Sequence, residues 1–201
     1  SLILCDESGT VVESINIPAM GSDQSFARKD GSTWAVTSEY TPRLENTSLA
    51  YAMLTTLEPV DNSPLVISEF MPSNGSYAVA ADGNYYDWIE LYNSSSEAID
   101  LAGYGLSDNA DKPSRWRFPS VTIEPGGYLL VYASGLDKNA DGEYHTNFRL
   151  RAEGESVLLY NAKGQLLDHV SYENLKTDQS YARTGDTFAV STSPTPGKAN
   201  Q

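Results

Sequence analysis

The chain has 201 residues, 40% apolar and 20% charged, with 10 prolines and 15 glycines, a composition that suits one or two globular domains and excludes a disordered or fibrous chain. The net charge of −14 leaves neither half basic, so no nucleic-acid partner is expected. No apolar run approaches the ~20 residues of a membrane span, so no direct membrane insertion is expected.

The first residues read as a hairpin. Residues 2–5, with the single Cys5 as a small buried hydrophobe, are followed by the turn Asp6-Glu7-Ser8-Gly9 and a second strand over 10–17. Asp23-Gln24-Ser25-Phe26-Ala27-Arg28, a motif that recurs at 178–183, reads in both places as a short strand with one buried ring, Phe26 or Tyr181, and an exposed arginine, Arg28 or Arg183. Residues 47–58 place apolar side chains at helical spacing behind hydroxyl residues fit for an N-cap, which predicts a short helix stopped by Pro59. Residues 60–64 are spacer.

From Pro64 onward the pattern is short strands between turn signals. They fall at 65–71, at 85–93 around Trp88, at 104–107, at 115–118 and at 126–133, the last so apolar that both its faces are expected to be covered. Another hairpin surrounds Asn161-Ala162-Lys163-Gly164. The fold class is all-β, a β-sandwich.

The two ends of the chain repeat one another. Residues 1–28 run parallel to 156–183 at an offset of about 155, and after a single gap residues 34–36 and 41–46 run parallel to 188–190 and 195–200. The expected organisation is therefore 1–46 as the C-terminal half of an upstream domain, 47–63 as a linker with a short helix, and 64–201 as one complete domain. Arg43 stands where its counterpart is Gly197, so the turn ending the first copy is expected to differ.

Several ordered motifs carry a family resemblance: 66–74 (VISEFMPSN), 87–93 (DWIELYN), 99–108 around Leu101-Ala102-Gly103-Tyr104, 123–128 (IEPGGY), 145–150 (HTNFRL) and 194–200 (PTPGKAN). Together they resemble the bacterial lamin-tail domain over 64–201, and residues 1–46 resemble its second half. The resemblance implies an immunoglobulin-like β-sandwich of a kind found as an accessory module of secreted or cell-surface proteins. It implies no catalytic residues.

Few residues suggest chemistry. Asp137, Asn139 and Asp141 before Gly142 copy the opening of a calcium loop, but the twelfth position is Phe148 and not a bidentate Glu, so an acidic surface loop is the plainer reading and no cofactor is expected. The two histidines, His145 and His169, have no ligand-like spacing around them. No nucleophile elbow or phosphate loop is present, and the chain is not expected to be an enzyme. Tyr77, Tyr85 and Tyr86 before the Trp88 strand are the candidate ligand-binding residues, a possible sugar-stacking surface. The expected function is a non-catalytic interaction or spacer module, extracellular or at a cell surface, and the alternative is a carbohydrate- or protein-binding module using the 74–86 loop. Half a sandwich leaves apolar faces uncovered, so exchange of residues 1–46 between chains is a further expectation.

Overall fold

The computed structural model describes residues 1–22, 24–29, 33–38, 59, 62–140 and 142–200. The helix expected within 47–58 and the turn at Arg43 lie outside them. The chain divides into two compact units, Ser1–Thr55 and Thr56–Gln201.

The first unit consists, among the described residues, of two separate antiparallel hairpins: β1 (Leu2–Cys5) with β2 (Val11–Ile15), and β3 (Ser25–Lys29) with β4 (Thr33–Thr37). Asp6 Oδ1 accepts the backbone N–H groups of Ser8 and Thr10, and Gly9 takes a φ of +84° that a side chain would resist, which closes the first turn. Cys5 is exposed and not buried as its neighbours suggested, because β1 has no layer over it among the described residues.

The second unit is a two-layered sandwich. Its strands are β5 (Leu65–Met71), β6 (Trp88–Asn93), β7 (Ile99–Asp100), β8 (Gly105–Ser107), β9 (Trp116–Arg117), β10 (Thr122–Ile123), β11 (Tyr128–Tyr132), β12 (Lys138–Ala140), β13 (Glu143–His145), β14 (Gly154–Tyr160), β15 (Leu166–Glu173), β16 (Ser180–Thr184) and β17 (Thr187–Ser191). One layer is a seven-stranded sheet in the order β12-β13-β11-β6-β5-β16-β17, the other a four-stranded sheet in the order β15-β14-β8-β9, and β7 pairs with β10 at the side.

Alternation along the strands decides what lies between the layers. Ile89 and Leu91 of β6, Leu129 and Val131 of β11, and Val157 and Leu159 of β14 point into one apolar core with Phe70 and Trp116. Each fully buried side chain of this kind contributes roughly 1.5–3 kcal/mol.

The opposite face of β6 carries Trp88, Glu90 and Tyr92, and each is handled differently. Trp88 is fully buried, yet it lies outside the inter-sheet core, in a cluster with Met71, Ala80 and Tyr132 beneath the 72–87 loop. Glu90 is fully buried beside Glu69, its partner across the ladder, under the C-terminal segment. Glu69 accepts from the Ser180 hydroxyl at 2.5 Å and from Thr195 N–H at 2.9 Å, and Glu90 accepts from Gly197 N–H. Asn200 then donates to the carbonyls of Ser68 and Arg183, both at 2.9 Å. The proline- and glycine-containing tail is thus a lid over two carboxylates.

The register of β5 on β6 skips a residue between Ile67 and Glu69. There Asp168 of the other sheet accepts from Ile67 N–H at 2.8 Å, while Arg183 donates to Ile67 C=O at 2.8 Å and pairs with Asp168 at 2.5 Å. Arg183 is therefore a clamp between layers, where the sequence suggested an exposed side chain.

Candidate functional site

The predicted site begins with the 72–87 loop, whose shape is set by its own polar side chains. Asn74 donates through Nδ2 to the carbonyls of Tyr77 and Tyr86, at 2.6 and 2.8 Å, and its Oδ1 accepts Tyr77 N–H. Asp178, from the segment before β16, accepts the N–H groups of Gly75 and Ser76, and these contacts hold its carboxyl below the ordinary range. Ala81 N–H reaches Glu143 of β13 at 2.8 Å.

The three predicted tyrosines do not form one platform. Tyr77 is half-buried against the Trp88 cluster, and Tyr86 sits edge-on to His145 at 5.6 Å with its hydroxyl donated to Asp82 at 2.8 Å. Only Tyr85 offers an open ring, at 47% exposure. It borders a groove of about 340 Å³ with Asn84, Asp87, Ser134 and Arg149. Burial pushes the Asp87 carboxyl up to about 6, with the Asn74 N–H and the Arg149 charge opposing.

At this groove lies an arrangement that resembles catalytic machinery. Ser134 Oγ is 3.0 Å from His145 Nδ1, and Glu143 Oε2 is 3.4 Å from His145 Nε2. Ser134 is 1% exposed and His145 3% exposed, and the Ser134 hydroxyl already accepts Leu136 N–H at 3.2 Å. A nucleophile must reach a substrate carbonyl beside donors for the developing oxyanion. This serine is sealed beneath the loop, and the imidazole, stacked on Tyr132 at 5.0 Å, fills space between loop and sheet.

Asp137 and Asn139 are exposed, flanking and within the edge strand β12, which turns back on β13 through Gly142 at a φ of +80°. That path is a hairpin and does not wrap around a central point. Asp141 lies outside the described residues. Among the described residues no three His, Cys, Asp or Glu side chains come together as a metal site.

A second groove, of about 510 Å³, was missed by sequence reasoning. Tyr92 of β6 and Tyr128 of β11 stack across the ladder at 4.7 Å, and Ser63, Val66, Arg183 and Asn200 are among the residues that line the groove with them. The signal was available in the alternation Trp88, Glu90, Tyr92, but the pairing of Tyr92 with Tyr128 needs the register.

No curated protein matches this chain. The profile of the Lamin Tail Domain, an immunoglobulin-like family, matches residues 59–174, from the segment before β5 to just past β15. With more than half of its length matched and a two-layered β-sandwich over the matched strands, the chain belongs to the lamin tail domain family.

Proposed function

We propose that the chain is a non-catalytic interaction or spacer module of a secreted or cell-surface multidomain protein. The observation that carries this reading is the employment of its ionisable side chains: Glu69, Glu90, Asp168 and His145 are all committed to holding the tail, the sheet junction or the loop in place. A side chain locked in such contacts is poorly placed to exchange protons with a substrate. The test is a turnover panel of nuclease, esterase and glycosidase substrates on the wild-type chain and on His145→Ala. The expected result is no turnover; activity present in the wild type and lost in the variant would overturn the proposal.

A second reading has one observation in its favour. Tyr85 presents an open aromatic face beside the exposed Arg149 and the half-buried Asp87, the combination of stacking surface and polar groups that holds a sugar ring. On this reading a glycan array gives a signal that Tyr85→Ala removes and Tyr92→Ala leaves intact.

A further inference from the structure

Residues 1–38 reproduce, pair for pair, the hairpins that complete the second unit. Leu2↔Ile15, Ile3↔Ser14 and Leu4↔Glu13 answer to Val157↔Val170, Leu158↔His169 and Leu159↔Asp168. Both ladders then slip at the same place, between Leu4 and Cys5 and between Leu159 and Tyr160. The turns agree as well: Asp6 Oδ1 accepts Ser8 and Thr10 N–H just as Asn161 Oδ1 accepts Lys163 and Gln165 N–H.

The other hairpins correspond in the same way. Phe26 and Trp34 stack at 5.4 Å where Tyr181 and Phe188 stack at 5.6 Å. Arg28 lies over the Trp34 ring and pairs with Glu13, as Arg183 lies over Phe188 and pairs with Asp168.

Burial is where the two sets part. Val157, Leu158 and Leu159 are 0% exposed, while their counterparts Leu2, Ile3 and Leu4 are 57%, 54% and 58% exposed. In the second unit Val157 and Leu159 are covered by the side chains of the facing sheet, Ile89 and Leu91 among them, and the edges are taken by two strands: β8 pairs with the edge of β14 away from β15, and β5 pairs with the edge of β16 away from β17. The equivalent edges of β1 and β3 have no strand on them among the described residues. Uncovered edges and apolar faces of this size mark a surface made to be covered.

We propose that residues 1–38 are the closing part of a second lamin-tail domain and bind the opening part of one, a segment carrying equivalents of β5, β6 and β8. One of its strands pairs with β1 and another with β3, and its inward side chains cover Leu2 and Leu4. Residues 64–201 bring one opening part, already filled by β14 to β17, so exchange among copies of residues 1–201 still leaves one closing part per copy uncovered. The occupant is an opening part from outside residues 64–201.

The test supplies a surrogate opening part by fusing residues 64–153 of this sequence ahead of Ser1 of the full chain, which raises its local concentration at the hairpins. In the unfused chain the amides of β1 to β4 are expected to exchange far faster than those of β14 to β17. In the fusion they are expected to slow on the order of a hundredfold, with a second cooperative melting transition. Leu4→Asp in the fusion is expected to abolish both effects, because its counterpart Leu159 is fully buried. Val36→Asp is expected to leave both intact, because its counterpart Val190 is 53% exposed even in the closed domain. Full protection of β1 to β4 in the unfused chain, protection that survives Leu4→Asp or is lost equally with Val36→Asp, or a fusion that precipitates or gains no second transition would each overturn the proposal.

Discussion

Glu90 shows what one buried carboxyl does to a sandwich. Burial raises its pKa to about 7, with Gly197 N–H opposing and Glu69 adding to the rise. Glu155, also raised by burial, titrates at about 7, and Asp87 at about 6. An unfolded chain gives up these protons near the ordinary carboxyl values, so the stability they contribute is complete below those values and is lost as pH rises through about 6 to 7. For Glu90 the loss is roughly 1–3 kcal/mol. Asp82 and Asp178, whose pKa values are lowered by hydrogen bonds, act in the opposite sense only below the usual carboxylate range. Thermal melts at about pH 5.5 and about pH 8 are therefore expected to show the lower Tm at the higher pH. Glu90→Gln, neutral at both and still able to accept from Gly197, is expected to narrow the gap; a gap as wide as in the wild type would mean that Glu90 is not its source.

At the scale of elements, β6 is the organising strand, with two buried faces of different kinds. Its inward face, Ile89 and Leu91, holds the layers together, and its outward Trp88 holds the 72–87 loop. Trp88→Ala is expected to cost about 3–5 kcal/mol and to open the loop, read as new protease cleavage within 72–87 under native conditions. Trp88→Phe is expected to cost less, since Trp88 Nε1 makes no hydrogen bond and only bulk is lost. Cleavage in the loops beneath the four-stranded sheet instead would place Trp88 in the wrong cluster.

The strand pattern and the hairpin turns were legible because alternation, glycine and Asx residues act over a few positions. The side of the sheet taken by Trp88 was not, since with both faces of β6 covered, alternation separates the faces without saying which one meets the second layer. Tyr77 and Tyr86 looked free for the same reason, as a ring in a loop reads alike whether it covers a tryptophan or waits for a ligand. Asp137 and Asn139 illustrate another ambiguity, because polar oxygen-bearing side chains at alternate positions suit an exposed edge strand as well as a cation loop.

For the molecule as a whole, the C-terminal tail decides whether the second unit is finished. Ending the chain after Ser193 removes the Thr195, Gly197 and Asn200 donors and lets water reach Glu69 and Glu90. The truncated domain is expected to lose about 2–3 kcal/mol, seen as a lower denaturant midpoint, and with Glu90 hydrated its contribution to the pH slope disappears. A midpoint equal to that of the full chain would reduce the tail to decoration.

Ser63, just before the first strand of the sandwich, and Asn200, at the end of its tail, border the same groove. The doorway into the domain and the doorway out are neighbours. A polypeptide passing through it hangs the sandwich to one side like a pendant, gaining girth at that point and little reach, and such a body can be spliced into a surface bend of a host without prising the bend apart.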